Sequence, residues 1–188
     1  MNSYVFRSPR LGFRAVEPSL SAPAAAFYRR NRAAFAPFDP VPEEEFFTEP
    51  GQRARLELER SWAECDRAYR FLLVQPRHPG KVVGMLGFNE IVRGAFQSCF
   101  LSYKIDRTLW NRGYGSEAIR YATAWAFRNL GLHRVEANIM PRNPASLRAA
   151  EKAGFVREGL SRRYLNINGV WDCLLYTSDD ADERSSVD

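Results

Sequence analysis

Two glycines, Gly113 and Gly115, interrupt the run WNRGYGSEA at residues 110–118. Because glycine has no Cβ, the backbone at both positions can approach a ligand closely. A helix predicted to start at Ser116 would add free backbone N–H groups and the partial positive charge of its N-terminus. This arrangement favours an anion, and a diphosphate suits it, although a single Gly-x-Gly before a helix also occurs in ordinary turns.

Two better-known phosphate loops do not fit this run. The chain has no G-x-x-x-x-G-K-[ST] sequence, which excludes a nucleotide-hydrolysing P-loop. Ala118 occupies the place of the third glycine in G-x-G-x-x-G. The acid expected about 20 residues later, Glu136, falls inside a predicted strand rather than at its end. A dinucleotide site is therefore disfavoured.

A second motif follows the predicted helix. A strand at residues 133–140 leads to Asn143, a good N-cap, with Pro144 at the first helical position, where its missing N–H costs nothing. Gly154 then closes this short helix. Capping alone explains Asn143 and Ser146, but the two motifs in this order are more specific than either one.

The elements that must position these motifs can be predicted from periodicity and turn residues. Apolar and polar residues alternate through residues 101–106, which indicates a strand, and Gly131 stands where the helix would end. Asn168 and Gly169 predict a tight hairpin. The pattern is that of a single α+β domain. We predict helices at residues 13–35, 52–69 and 116–130, further strands at 70–75, 81–92 and 95–106, and hairpin strands at 163–167 and 170–176.

The two motifs together resemble the GNAT superfamily of acetyl-CoA-dependent N-acetyltransferases. Its phosphate loop is [Q/R]-x-x-G-x-[G/A], which residues 110–115 match except that Trp110 replaces Gln or Arg. The wider pattern W-x-[KR]-G-[YL]-x-x-E-A, then R-x-x-A-x-x-x-P-x-N-x-x-S and G-F, resembles the RimJ/RimL branch. Residues 89–96 and 164–171 resemble hairpins of its ribosomal-protein-alanine N-acetyltransferases. The resemblance implies a three-layer α+β fold with a twisted, mixed, mostly antiparallel sheet flanked by helices.

The resemblance also implies acetyl-CoA as the cosubstrate, with no metal. We expect its diphosphate on the backbone amides of residues 112–116 and its pantetheine arm paired, strand-like, with the backbone near Tyr103 and Ile105. Asn143 should contact it further along. The predicted cofactor-binding residues are Tyr103, Ile105, Arg112, Gly113, Tyr114, Gly115, Ser116, Asn143 and Ser146.

The reaction would move an acetyl group from a thioester to an amine, which must be neutral to attack. An α-amino group has a pKa of about 7.7–8.0 and a lysine side chain about 10.4. Deprotonation at neutral pH therefore costs under ~1.4 kcal/mol for the α-amine and roughly 4 kcal/mol or more for lysine. An enzyme for protein N-termini can thus manage with a weak base or a water relay.

The catalytic residues of the family are partly missing. Many GNAT enzymes place an acid on the strand after the motif helix and a tyrosine two turns before G-F, and the matching positions here are Asn138 and Ala150. Another acid of the RimL-like enzymes falls near Arg163. The resemblance implies that Ser146 donates to the CoA sulfur. Glu136 shares a strand face with Asn138 and is expected either to relay a proton through water or to pair with an arginine. The predicted catalytic residues are Ser146, Glu136 and Asn138.

Composition agrees with a reduced, cytoplasmic, metal-free protein, either a monomer or a homodimer. The 188 residues contain no 18-residue apolar run that would indicate a membrane span, and the N-terminus lacks a signal-peptide pattern. Three scattered cysteines and two isolated histidines give no metal-binding spacing. We predict one domain at residues 1–178 and a flexible tail at 179–188. The tail holds five acids and one arginine, so the rest of the chain carries a net charge of +9 within a total of +5.

Three hypotheses about the partner stay open. The resemblance and the weak base set favour direct attack, in a ternary complex, by a protein N-terminus, above all an alanine of a small-subunit ribosomal protein. Residues 35–42 would then border the entry of the peptide. The net positive charge of residues 1–178 would attract RNA weakly. A small amine, such as a polyamine or an antibiotic, would need an acidic pocket. Residues 43–45 could supply that pocket, but they are more simply the solvated start of a helix. The third hypothesis is a non-catalytic ribosome- or RNA-binding module of the same fold.

Overall fold

An eight-stranded sheet with helices on both faces makes up the part of the chain that the structure, a computed structural model, describes, which is residues 4–181. This α+β architecture is the one predicted from the sequence. The strands and helices, in chain order, are β1 (Phe6–Arg7), β2 (Gly12–Ala15), α1 (Ser21–Phe35), α2 (Glu49–Glu64), β3 (Tyr69–Gln75), β4 (His78–Val92), β5 (Ser98–Ile105), α3 (Tyr114–Leu130), β6 (Arg134–Ile139), α4 (Pro144–Ala153), β7 (Val156–Ile167) and β8 (Val170–Asp180).

The sheet is mixed and mostly antiparallel, as predicted. Its strand order is β1-β2-β3-β4-β5-β6-β8-β7, and among the described strands only β5 and β6 pair in parallel. Their pairing joins residues 98–100 to residues 134–136 and stops there. Beyond Phe100, β5 stays with β4 while β6 stays with β8, so the sheet opens into a gap.

The side chains of β3 alternate between two cores, because successive residues of a strand point to opposite faces of the sheet. Phe71 and Leu73 pack with residues of α3 and α4, whereas Leu72 and Val74 pack with residues of α1 and α2. All four side chains are buried, and burial of one such side chain stabilises a fold by about 1.5–3 kcal/mol. The sheet is therefore the middle layer of three.

Caps fix the ends of the two helices that border the gap. At the start of α4, Asn143 Oδ1 accepts a hydrogen bond of 3.1 Å from the Ser146 amide, which confirms the predicted N-cap. Gly131 and Gly154 follow α3 and α4 with φ angles of +61° and +108°, a region that favours glycine. Local sequence signals thus place the end of α3 and both ends of α4.

The first predicted helix, at residues 13–35, is wrong over its first turns. Residues 12–15 form β2, where Phe13 is fully buried between its neighbours on β1 and β3. α1 begins only at Ser21. The apolar residues of this stretch fit a strand at first and a helix later. The strand ends where its pairing with β3 ends, which the sequence of this stretch alone does not show.

The second predicted helix, at residues 52–69, is shifted toward the C-terminus of the chain relative to the real one. α2 begins at Glu49, because the Thr48 side chain accepts a hydrogen bond from the Gly51 amide and caps the helix. At the other end, Tyr69 already belongs to β3. None of the described helices is long and apolar enough to cross a bilayer.

The C-terminal hairpin is longer than predicted. Asn168 and Gly169 join its strands with φ angles of +53° and +86°, which fit a two-residue type I′ turn and confirm the predicted hairpin. β8 continues to Asp180, and Asp179 is buried opposite Val135 of β6. The predicted acidic tail therefore does not begin at Asp179. Residues 182–188 of that prediction lie outside the described residues.

Candidate active site

A cavity of about 410 Å³ lies beside β5, where β6 has parted from it. Tyr103 and Lys104 both line this cavity, and neighbouring residues of a strand point to opposite faces, so the cavity reaches both faces of the sheet. Its volume is in the range of small-ligand sites. Eight of the nine predicted cofactor-binding residues line it, namely Tyr103, Ile105, Gly113, Tyr114, Gly115, Ser116, Asn143 and Ser146.

The glycine loop meets the cavity at the start of α3. Gly113 caps this helix with a φ of +79°, and its carbonyl accepts a hydrogen bond of 3.1 Å from the Glu117 amide. In an α-helix the amides before that first bond have no partner within the helix, here those of Tyr114, Gly115 and Ser116. These three residues line the cavity, so their backbone N–H groups are available to an anion bound there.

Arg10 braces the outer side of this loop. Its Nη1 donates to the Arg112 carbonyl at 2.9 Å, and its guanidinium carbon lies 4.1 Å from the centre of the Tyr114 ring. Its Nε pairs with a Glu117 carboxylate oxygen at 2.5 Å. Burial alone would raise the pKa of Glu117, but hydrogen bonds from Ser8 and Arg10 outweigh burial and lower it. Glu117 therefore anchors the brace as a carboxylate.

The backbone of β5 presents an open edge to the gap. The Asp106 amide donates to the Val83 carbonyl of β4 at 2.8 Å, and main-chain bonding alternates along an antiparallel pair. Tyr103 and Ile105 therefore direct their main-chain groups away from β4, toward the gap. The Trp110 indole Nε1 donates to the Ile105 carbonyl at 2.7 Å. The main-chain groups of Tyr103 are therefore better placed than those of Ile105 to pair with a ligand in the gap.

Tyr103 and Ser146 meet across the cavity. The Tyr103 hydroxyl lies 2.9 Å from Ser146 Oγ, while the Ser146 amide is held by Asn143. Burial raises the pKa of Tyr103, and the hydrogen bond with Ser146 only partly opposes that shift. The phenol therefore stays protonated at neutral pH. The two hydroxyl groups together provide hydrogen-bond donors beside the start of α4.

Three predicted site residues do not line this cavity. The Glu136 carboxylate lies 3.3 Å from Arg134 Nε, in an ion pair on β6, as one of its two expected roles requires, and it does not line the cavity. Asn138 Oδ1 is buried with no hydrogen-bond partner among the described residues. The Arg112 carbonyl accepts the hydrogen bond from Arg10, and the Arg112 guanidinium carbon lies 5.9 Å from the centre of the Tyr114 ring. The structure thus brings Ser146 to the cavity and leaves Glu136 and Asn138 outside it.

Several lining residues were missed by the sequence analysis. Arg148 and Lys152 lie one turn apart on α4 and line the cavity, a spacing that the sequence does reveal once Asn143 is taken as the N-cap. Asp39 and Lys104 line it as well, from elements 65 residues apart in the chain, and no local pattern joins them. Asp39 is the one carboxylate among the described residues that line the cavity.

The segment at residues 35–42 walls the far end of the cavity and is held by distant elements. The hairpin residue Asn168 accepts a hydrogen bond of 2.8 Å from the Val41 amide and donates one of 3.2 Å to the Asp39 carbonyl. Arg142 donates to the Pro37 carbonyl at 2.5 Å and pairs with Asp172 of β8 at 2.6 Å. The wall is therefore fixed by the hairpin and by the loop before α4.

A second cavity of about 270 Å³ adjoins the first behind this wall. Phe35, Asp39 and Lys104 line both cavities and form their junction. The acidic run at residues 43–45, expected as a possible amine pocket, contributes to neither lining. The remaining lining residues of the second cavity are Tyr28, Arg32, Ala36, Pro40, Val41, Pro42, Phe46, Phe47 and Arg55.

Comparison with known proteins agrees with this geometry. Residues 10–156 match the family model described as an acetyltransferase (GNAT) domain. The chain belongs to the GNAT acetyltransferase family. Its membership makes it an N-acetyltransferase, and the GNAT fold accounts for the parted strands and the glycine loop at the start of α3.

Relatives of this GNAT protein include named N-acetyltransferases. The probable N-acetyltransferase YjcK of Bacillus subtilis is 37% identical over 142 residues, which cover 76% of this chain and 78% of the relative. The [ribosomal protein uS5]-alanine N-acetyltransferase of Escherichia coli is 33% identical over 147 residues, 78% of this chain and 75% of the relative. The crystal structure of ribosomal-protein-S5-alanine acetyltransferase from Vibrio fischeri superposes with a TM-score of 0.89 at 29% identity, over 95% of this chain and 97% of that one.

Proposed function

We propose that this GNAT protein transfers the acetyl group of acetyl-CoA to the α-amine of a protein N-terminus, with the alanine of a small-subunit ribosomal protein as the preferred acceptor. One observation carries the proposal: a continuous cavity leads from the amides at the start of α3, past Ser146, to an aromatic wall at Phe35 and Phe38. The likeness to the uS5-alanine enzymes supports the acceptor class.

The donor side of the cavity suits coenzyme A. The amides of Tyr114, Gly115 and Ser116 would hold the diphosphate, and the side chains of Arg148 and Lys152 would add positive charge beside it. A Cβ added at Gly115 would make ordinary van der Waals contacts, at 3.5 Å, with both the Tyr103 ring and the Ala149 side chain, so Gly115 lies directly between these two walls of the cavity. Acetyl-CoA supplies the activated acetyl group, and these residues orient it.

Ser146 would assist the leaving thiolate. Its hydroxyl lies at the N-terminal end of α4, where the helix dipole also favours a developing negative charge, and Tyr103 holds it in place. The neutral amine attacks the thioester carbonyl carbon directly, with both substrates bound. The C–N bond forms as the C–S bond breaks, and the proton that the amine nitrogen loses reaches the sulfur through the Ser146 hydroxyl.

The acceptor class follows from the chemistry of the amine. An α-amine needs little help to lose its proton near pH 7, whereas a lysine needs much more. The cavity lining holds Asp39 as its one carboxylate among the described residues, and this single weak base suits an α-amine. The wall at residues 35–42 would border the peptide chain that follows the amine.

A peptide panel read by mass spectrometry tests the proposal. Acetyl-CoA is incubated with peptides that begin with Ala-Ser or Ala-His, with the same peptides blocked at the α-amine but bearing free lysines, and with spermidine. We expect efficient acetylation of the free N-termini and little of the other acceptors. Efficient acetylation of the blocked peptides or of spermidine alone would overturn the acceptor assignment, and no acetylation of any amine would favour the non-catalytic module.

A further inference from the structure

We propose that Asp39 binds the acceptor α-ammonium group and accepts its proton, and that Lys104, paired with Asp39, restricts the acceptor to one positive charge. This inference rests on the proposed function and assigns the base that the family positions Asn138 and Ala150 do not supply. It is carried by the place of the Asp39–Lys104 pair at the junction of the two cavities.

The Asp39 carboxylate pairs with Lys104 through one of its two oxygens, and the acceptor amine could bind to the other. Asp39 Oδ1 lies 2.8 Å from Lys104 Nζ. The two side chains are 30% and 26% exposed, so the pair is reached by solvent and is not closed within the core. Since the pair lines both cavities, an amine that reaches the thioester from the second cavity passes directly by Asp39.

The backbone of Asp39 is fixed independently of Lys104. Its carbonyl accepts a hydrogen bond from Asn168 Nδ2, and the same asparagine accepts one from the Val41 amide. Two anchors, one on the main chain and one on the side chain, thus define where the carboxylate stands. A proton acceptor needs this kind of fixed position with respect to the reacting amine.

The acceptor ammonium loses a proton before the C–N bond forms and the C–S bond breaks. The Asp39 carboxylate takes a proton from the acceptor ammonium, and the freed lone pair forms the C–N bond at the thioester carbon. The C–S pair leaves on sulfur, and the nitrogen loses its second proton as the amide forms. The Ser146 hydroxyl gives its proton to the sulfur and takes the nitrogen's proton in return, which yields the free thiol, and Asp39 returns its own proton to solvent. Lys104 favours the neutral amine, because a nearby positive charge lowers the pKa of an ammonium group.

The charge around the second cavity supports selection against polyamines. Arg32, Arg55 and Lys104 line this cavity, against Asp39 as the single acid among its described lining residues. Glu44 and Glu59 pair with Arg32 and Arg55 but stay outside the lining. A second positive charge on the acceptor would be repelled there, whereas the neutral side chains of a peptide N-terminus would not.

The test compares Asp39→Asn, Asp39→Glu and the control Glu43→Gln. Glu43 is an exposed acid that directly follows the segment at residues 35–42 and lines neither cavity. For an Ala-Ser peptide we expect Asp39→Asn to lower kcat/KM roughly 100- to 10,000-fold at pH 6, the range for losing a proton-transfer group. The deficit should shrink by pH 9, where the free α-amine is already neutral. Asp39→Glu should recover part of the activity, and Glu43→Gln should match the parent.

The role of Lys104 is tested with Lys104→Met, which should raise the ratio of spermidine to peptide turnover about tenfold. Calorimetric affinity for CoA, unchanged in all variants, reports that each folds. Parent-like turnover of Asp39→Asn, or a deficit independent of pH, would overturn the role of Asp39 while leaving the proposed function standing. An unchanged spermidine ratio would overturn the selection by Lys104. Failure of the parent itself to acetylate the peptide would overturn the proposed function.

Discussion

The hydroxyl of Tyr103 on β5 lies 2.9 Å from Ser146 Oγ on α4, and this pair forms a hydrogen bond between the strand and the helix that flank the cavity. The main chain of Ser146 is held by the Asn143 cap, so its hydroxyl has one orienting partner and its backbone another. A serine fixed in this way is preorganised to donate to a leaving sulfur.

Ser146→Ala should lower kcat roughly 10- to 1000-fold, because one donor to the developing thiolate is lost. The affinity for CoA should change little, since the backbone amide that bonds to Asn143 remains. Steady-state kinetics and calorimetry with the same preparation measure both quantities. Tyr103→Phe should reduce kcat less, and the double variant should be no slower than Ser146→Ala if the two hydroxyls act as one unit. Unchanged turnover of Ser146→Ala would remove Ser146 from the mechanism.

Gly113→Ala should lower the affinity for CoA about tenfold and destabilise the protein by about 1–2 kcal/mol, because alanine is strained at a φ of +79°. Gly131→Ala is the matched control, since Gly131 also has a positive φ but follows α3 at its far end and lines neither cavity. Calorimetry with CoA and urea unfolding separate the two effects. Equal CoA affinities for both variants would contradict the placement of the diphosphate.

Glu117→Gln should destabilise the protein at pH 7 by about 1.5–3 kcal/mol, the range for hydrogen bonds to a charged group. The pKa of Glu117 is lowered in the folded state, so its contribution is present above the unfolded pKa and is lost as pH falls through the folded value. The difference from the parent should therefore begin to narrow as pH falls below about 4 and should close only below the lowered pKa of the folded state. Urea unfolding across pH measures it, with Glu17→Gln, an exposed partner of Arg14, as the control. A gap that stays constant with pH would contradict the anchoring role.

Asn168→Ala should raise KM for an acceptor peptide several-fold while KM for acetyl-CoA stays near the parent value. It removes both hydrogen bonds that tie the hairpin to the Asp39 carbonyl and the Val41 amide. Asn168→Asp retains an acceptor for Val41 and tolerates the positive φ, so its effect should be intermediate. Equal changes in both KM values would indicate a general loss of structure instead.

Local rules account for what the sequence predicts well. The Asn143 cap, the glycine that ends α3 and the turn at Asn168 and Gly169 each depend on neighbours a few residues away. The donor half of the site is built from such pieces, which is why eight of its predicted residues line one cavity. Their chemical roles remain predictions.

Long-range pairing explains what the sequence did not predict. Phe13 lies in a strand because β1 and β3 flank it. Asp179 is buried opposite Val135 of β6, one residue beyond Ser178, where the pairing of β7 with β8 ends. Glu136 has the residue type of a base, yet Arg134 two positions away holds it in an ion pair. Asp39 becomes part of the site through Lys104, and a distance of 65 residues hides that partner from any local pattern.

The divergence of β5 from β6 also has a kinetic meaning. Since the cavity crosses the sheet, the nucleotide product and the acetylated peptide would depart on opposite sides, and neither has to wait for the other. Desulfo-CoA, which occupies the donor side without reacting, should then compete with acetyl-CoA and act noncompetitively toward the peptide. The order of product release would then depend on the separate affinities of the enzyme for CoA and for the acetylated peptide, because the two products do not share an exit.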